Sequence, residues 1–200
     1  MVRIKFCGFT NSNDIDIAVN LGVDAFGFVF YPQSRRAVSI SEAVTLVSHV
    51  PAFATRVGLF VNASSERIRE TFQACRLNLV QFHGEETPEF CDGLGIPYIR
   101  ALRIYKGLDI EFEMAKYSGA SGFLLDTYVE GLPGGTGELF DWDLIPRSSQ
   151  NIILAGGLTP ENVRKAIDKL APWALDVSGG IESKPGRKDP DKMERFVRAC

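Results

Sequence analysis

Short apolar runs recur along the chain. Each is followed by polar or glycine-bearing residues and then by a stretch with helical periodicity. Ile4, Phe6 and their neighbours give a first strand that ends at Cys7-Gly8. Residues 25–30, 56–61, 78–82, 98–102 and 122–125 read as five further strands, and Ile152–Ala155 and Ala174–Val177 as the last two. Continuous apolar runs of this length suit strands buried on both faces, as in a parallel sheet. Between them lie helical patterns. The first starts at Thr10-Asn11, sets Ile15, Ala18, Val19 and Leu21 on one face, and closes at Gly22. Others begin at Ser41-Glu42 and span 64–75, 87–94 and 108–117, with a short stretch near 141–145. Thr159 reads as an N-cap with Pro160 at the first helical position, and Pro190–Ala199 as a final helix.

Eight β–α units with no composition shift that marks a linker predict one domain over residues 1–200, an α/β fold of the (β/α)8 TIM barrel type. An open doubly wound sheet is the alternative. The strand count, the placement of polar glycine-bearing segments after strands, and the absence of a G-x-G-x-x-G fingerprint after the first strand all favour the closed barrel. The last two strands each run into glycines, Gly156-Gly157 and Ser178-Gly179-Gly180. Glycine lets backbone N–H groups approach an anion closely, and barrels commonly bind phosphate in the loops after strands 7 and 8.

Composition adds little beyond exclusions. Of 200 residues, 45% are hydrophobic and 24% charged, the ordinary balance of a globular domain. A formal charge of −3 disfavours nucleic acid or an acidic membrane as partner. No apolar run nears the roughly 18 residues of a membrane span. The N-terminal MVRIKFCG is a strand pattern rather than a signal peptide. Cys7, Cys75, Cys91 and Cys200 show neither CxxC pairing nor metal-ligand spacing, which predicts reduced thiols, a cytoplasmic setting and no metal. The oligomeric state stays open between a monomer and a homodimer.

Catalytic groups of a barrel stand at the C-terminal ends of its strands. Cys7 ends the first strand, Arg36 follows the second, His83 the fourth, Asp126 ends the sixth, and Asp176 lies in the eighth. Cys7 is either a small buried hydrophobe or a base; a thiol titrates near ~8.5, so a modest downward shift makes it usable at neutral pH. Asp126 is either a cap or an acid, and an acid there needs partial shielding from water. The glycine loop 131–137, with Gly135 at its centre, is placed to fold over the site. Arg36 is either a solvated charge or a fork that grips a substrate carboxylate. His83 is a structural histidine or a ligand contact. Asp176 either hydrogen-bonds substrate hydroxyls or orients the turn behind it.

These blocks resemble the phosphoribosylanthranilate isomerases. The resemblance rests on Lys5-Phe6-Cys7-Gly8-Phe9-Thr10, Gly27-Phe28-Val29-Phe30-Tyr31, Val57-Gly58-Leu59-Phe60-Val61, Gln81-Phe82-His83-Gly84, Leu124-Leu125-Asp126, Gly134-Gly135-Thr136-Gly137, Leu154-Ala155-Gly156-Gly157-Leu158 and Asp176-Val177-Ser178-Gly179-Gly180-Ile181-Glu182, and spans essentially the whole chain. Two departures stand out. Phe6 and Phe9 occupy positions that are commonly Ile, and Ser178-Gly179-Gly180 replaces a common Ser-Ser-Gly. The second removes one hydroxyl from the phosphate loop but leaves its N–H donors. The resemblance implies an Amadori rearrangement of a phosphoribosyl aminoaldose in tryptophan biosynthesis. It makes Asp126 the acid and Cys7 the base, has Arg36 hold the anthranilate carboxylate, and needs no cofactor. His83, Asp176, Gly135, Gly156, Gly157, Ser178, Gly179 and Gly180 complete the expected substrate site. The rival readings are a non-catalytic phosphosugar-binding barrel and a histidine-pathway aminoaldose isomerase. The latter resembles a two-Asp pattern, with a carboxylate where Cys7 stands.

Overall fold

The computed structural model describes residues 2–105, 107–127, 142, 145 and 151–200. Eight parallel strands close into a barrel in sequence order: β1 (Arg3–Cys7), β2 (Ala25–Val29), β3 (Thr55–Phe60), β4 (Leu79–Phe82), β5 (Tyr98–Ile104), β6 (Phe123–Thr127), β7 (Ile152–Ala155) and β8 (Ala174–Val177). Pairing of β1 with β8 completes the ring, with Lys5 opposite Asp176 and Phe6 opposite Val177. Between the strands run α1 (Ser12–Asn20), α2 (Ile40–Val47), α3 (Ser65–Ala74), α4 (Pro88–Gly93), α5 (Ile110–Ala115) and α6 (Val163–Leu170), followed after β8 by α7 (Pro190–Ala199).

Side-chain parity sorts the strands into two layers, because successive residues point to opposite faces. Ile4 and Phe6, Phe26 and Phe28, Phe60, Phe82, Leu125, Leu154 and Leu175 point outward and pack under the helices in one large apolar cluster. Residues of the other parity fill the barrel, where Ile99, Ala101, Leu124, Ile153, Ala155 and Ala174 form a separate small cluster. Lys5 and Cys7 share the inward parity on β1, as do Gln81 on β4, Asp126 on β6 and Asp176 on β8. The polar site is therefore the top layer of the barrel's own interior.

The helices begin where side-chain oxygens cap them. Asn11, Ser39, Ser64, Thr87, Asp109 and Asp189 each accept a backbone N–H of the first turn. Each such cap contributes about 1 kcal/mol. One predicted start moves. Helix α6 begins at Val163 and not at Pro160, because Asn162 folds residues 157–162 into a tight turn. Its Oδ1 accepts from Thr159 N–H and its Nδ2 donates to the Gly157 carbonyl. The fifth helix is shorter than the predicted 108–117. The Phe6 and Phe9 substitutions lie on the outward layer, where each gains an aromatic partner. Phe6 meets Phe196 of α7 edge-on at 6.0 Å, and Phe9 stacks on Phe26 at 5.5 Å. The loop 131–137 lies outside the described residues, and of the predicted stretch near 141–145 only Trp142 and Ile145 are described, both buried.

Between β8 and α7 the chain forms two features that the apolar pattern does not announce. A single 3-10 turn covers Gly179–Ile181, and a small antiparallel hairpin pairs β9 (Glu182–Lys184) with β10 (Arg187–Lys188). The hairpin carries Glu182 and Lys188 back under the ends of β1 and β8.

Candidate active site

A cavity of about 410 Å³ opens at the C-terminal ends of the strands. Cys7, Arg36, His83, Asp126, Gly156, Gly157, Asp176, Ser178, Gly179 and Gly180 all line it, together with Gln81 and Arg103. Gly135 lies outside the described residues. The predicted site residues are thus brought together wherever they are described.

The glycine loops after β7 and β8 are built against each other. A Cβ at Gly180 would stand 1.8 Å from the Leu158 carbonyl oxygen, so only glycine lets the turn after β8 seat on the loop after β7. At Gly8, φ is +83° and a Cβ would stand 2.5 Å from Arg36 Cδ. Glycine there both turns the chain out of β1 and lets the Arg36 side chain cross its end.

The thiol side of the cavity is dense with buried charge. Lys5 Nζ donates to Asp176 Oδ1 at 2.8 Å across the β1–β8 seam. Lys188, with no exposed side-chain surface, donates to the carbonyl oxygens of Cys7 at 2.5 Å and Ser178 at 3.2 Å and to Glu182 Oε1 at 3.0 Å. Its own backbone N–H donates to buried Asp14 at 2.8 Å. Arg36 Nε and Nη2 in turn donate to the two oxygens of Glu182 at 2.8 and 2.6 Å. One edge of the guanidinium is therefore spent on Glu182. A substrate carboxylate would be met by the other edge, Nη1 with the second hydrogen of Nη2. Asp176, left open between a hydroxyl contact and a turn orienter, is the counter-ion of Lys5 at the wall of the cavity.

Burial decides the direction of several titrations. It pushes the Cys7 thiol up, against the pull of Lys5 and Lys188 and with the help of Asp176. The downward shift expected of a ready base is therefore not found: Cys7 is only 5% exposed, and desolvation outweighs both lysines. Burial also lowers Lys188, against Glu182 and Cys7. For Glu182 burial works upward, but the hydrogen bonds from Arg36 and the Lys188 charge outweigh it and hold the carboxyl below its usual range.

The opposite side, over β4 to β6, is wetter and carries fewer charges. His83 Nε2 lies 3.2 Å from Asp126 Oδ2, and Gln81 Nε2 lies 3.1 Å from His83 Nδ1. The side chains of His83 and Asp126 keep 20% and 31% of their surface exposed. Below them Glu86 fixes the loop that carries His83. It accepts N–H groups from Asn62 at 2.7 Å and Gly84 at 2.9 Å, and pairs with Arg100 at 2.8 Å.

The sequence profile described as N-(5'phosphoribosyl)anthranilate (PRA) isomerase matches residues 4–199. The chain belongs to the N-(5'-phosphoribosyl)anthranilate isomerase family. A family member from Pseudomonas fluorescens is 53% identical over 199 residues, which cover 99% of this chain and 95% of that one. One from Azotobacter vinelandii is 51% identical over 198 residues, covering 98% and 96%. The crystal structure of phosphoribosyl anthranilate isomerase from Thermotoga maritima superposes with a TM-score of 0.93 at 42% identity, covering 100% of this chain and 98% of that one. A family structure in complex with reduced 1-(o-carboxyphenylamino)-1-deoxyribulose 5-phosphate gives a TM-score of 0.89 at 41% identity, with the same coverage.

Sequence reasoning missed Lys5, Glu182, Lys188 and Gln81. Lys5 and Gln81 carried a signal: a polar residue at an inward position of an otherwise apolar strand. Glu182 ends a block that carries the resemblance but was given no role, and Lys188 carried no signal, because its burial depends on the hairpin.

Proposed function

We propose that the chain isomerises N-(5'-phosphoribosyl)anthranilate to 1-(2-carboxyphenylamino)-1-deoxyribulose 5-phosphate, a step of tryptophan biosynthesis. Asp126 gives its proton to the furanose ring oxygen. The C1–O bond breaks, and the anilino nitrogen's lone pair forms the C1=N iminium. Cys7, as thiolate, then takes the proton from C2, and that electron pair fills the C1–C2 bond to give an enolamine. Reprotonation at C1 as the C2 hydroxyl gives up its proton yields the ketone. The iminium is the electron sink, so the step balances without a further reactant.

The observation that carries this reading is the shared cavity. Cys7 and Asp126 stand at the ends of β1 and β6, and the glycine loops of β7 and β8 lie between them around the ring. A phosphate on Gly156, Gly157, Ser178, Gly179 and Gly180 sets the sugar over the barrel mouth, within reach of both groups. The outer edge of Arg36 holds the anthranilate carboxylate, and His83 holds Asp126.

The same reading takes residues 1–200 as one barrel domain and places the chain in the cytoplasm, in keeping with four cysteines that form no disulfide. No helix among the described residues is long and apolar enough to cross a membrane. The chain acts as a monomer or a homodimer, which light scattering distinguishes. Freshly made phosphoribosylanthranilate tests the reaction. Its fluorescence should fall with enzyme as the aminoketose accumulates, whereas spontaneous hydrolysis only frees anthranilate, which still fluoresces. A folded protein that gives no aminoketose would leave a phosphosugar-binding barrel without catalysis.

A further inference from the structure

Gln81 is out of place by polarity. It faces inward on β4, opposite Leu59 of β3 and Ile99 of β5, and is only 1% exposed. An apolar side chain would suit those neighbours at less desolvation cost. Its carbonyl oxygen has no hydrogen-bond partner, while its amide nitrogen meets His83 Nδ1 at 3.1 Å. Turning the amide over would bury an unpaired NH2 instead, and orphaned donors are rarer than under-satisfied carbonyls. The arrangement therefore has one direction: the amide donates and Nδ1 accepts. A neutral imidazole that accepts at Nδ1 carries its hydrogen on Nε2. Nε2 faces Asp126 Oδ2 at 3.2 Å.

We infer that Gln81 is a positioning residue for the acid, selecting the His83 tautomer whose Nε2–H pins one oxygen of Asp126. The other oxygen, Oδ1, is then the one that carries the proton to the sugar. The line runs Gln81 Nε2–H to His83 Nδ1, then His83 Nε2–H to Asp126 Oδ2. The charged groups around it do not reverse this direction. Glu86 and Arg100, beneath the His83-Gly84 loop, are paired with each other. Arg103, opposite Asp126 on β5, adds a cation on the acid's side and an acceptor nowhere along the line. The inference rests on the reading of Asp126 as the acid and deepens it.

The ring nitrogens report the tautomer directly. The chain has two histidines. The second, His49, lies at the surface against Asp16, so a His49→Gln variant leaves the His83 signals alone in a ¹⁵N spectrum. At pH 7 His83 should be neutral and protonated on Nε2. A proton on Nδ1, or on both nitrogens, overturns the inference whatever the variants do. Gln81→Leu keeps the side-chain volume and removes the donor. It should lower kcat about tenfold with KM within about twofold, and the Nε2–H preference should disappear. Both must move. A kcat loss with the tautomer intact, or a changed tautomer with kcat intact, overturns the inference. If Asp126→Asn retains full turnover while His83 stays protonated on Nε2, the acid assignment has failed and the hydrogen-bond line has not.

Discussion

The two walls of the cavity solve different problems. On the thiol wall, Lys5, Asp176, Lys188, Glu182 and Arg36 form buried pairs that tie β1, β8 and the hairpin together around Cys7. On the acid wall, Asp126 keeps 31% of its side chain exposed and ends a hydrogen-bonded line that runs from Gln81 through His83. A thiol becomes a base only if its anion is tolerated, so its wall must supply cations, and those cations need buried counter-ions of their own. A carboxyl that gives up one proton per turnover must regain it, and an exposed position serves that. Both walls thus rest on buried ion pairs, but on the acid wall the Glu86–Arg100 pair lies beneath the His83 loop, whereas on the thiol wall the pairs surround the thiol itself.

The largest test of this contrast is chemical. Cys7→Ala and Asp126→Asn should each lower kcat about a thousandfold with little change in KM, the scale of general acid–base catalysis. The contrast appears in stability: neither variant should lose more than about 2 kcal/mol by urea unfolding. Near-normal turnover of either variant would remove that residue from its role.

Next in size is the effect of opening the charged wall. Lys188→Met leaves Glu182 buried against Arg36 alone and should cost about 3 kcal/mol of stability. His83→Gln on the acid wall should cost about 1 kcal/mol or less. Equal losses in the two variants would erase the distinction between the walls.

A third test compares two buried thiols. Cys91 of α4 has no lysine at hand. Burial pushes it up to about 12, with Arg100 drawing it down and Glu86 and Asp92 pushing it further up. The folded state holds that proton more tightly than the unfolded chain. The stability tied to neutral Cys91 is thus fully present below the ordinary thiol value near ~8.5 and is lost as pH rises toward about 12. Urea midpoints should fall over that range, by at most ~1.4 kcal/mol per pH unit for one thiol. Cys91→Ala should flatten that slope, and Cys7→Ala should do the same, because burial outweighs Lys5 and Lys188 and raises that thiol too. An unchanged slope in either variant would mean that burial does not hold that thiol's proton.

The smallest effect concerns Arg36, bound to Glu182 on the wall and proposed to hold the substrate carboxylate. Arg36→Met should raise KM about tenfold and leave kcat within about threefold, as expected of a group that holds substrate equally in ground and transition states. A loss confined to kcat would instead place the guanidinium at the reacting atoms.

Much of this was readable from the chain. Strands β7 and β8 and helix α7 have the predicted bounds, because an unbroken apolar run and a Pro-led amphipathic stretch are local signals. The cavity-lining residues were legible because strand ends in a barrel converge on one mouth. The second layer was not. Lys5 and Asp176 stand 171 residues apart, and Lys188 and Cys7 181 apart, so no spacing rule links them. The α6 start was misread because Thr159-Pro160 is a sound local cap, which the Asn162 side chain overrides. The direction of the Cys7 shift was beyond reach as well, since it depends on the balance between desolvation and two lysines.

The hairpin at 182–188 has a consequence for the order of manufacture. Lys188 grips the carbonyl of Cys7, so a segment made after all eight strands completes the first strand of the barrel. Chains cut short after β8 would contain every strand of the barrel and both reacting groups, yet they would lack the cation that ties the two ends of the ring.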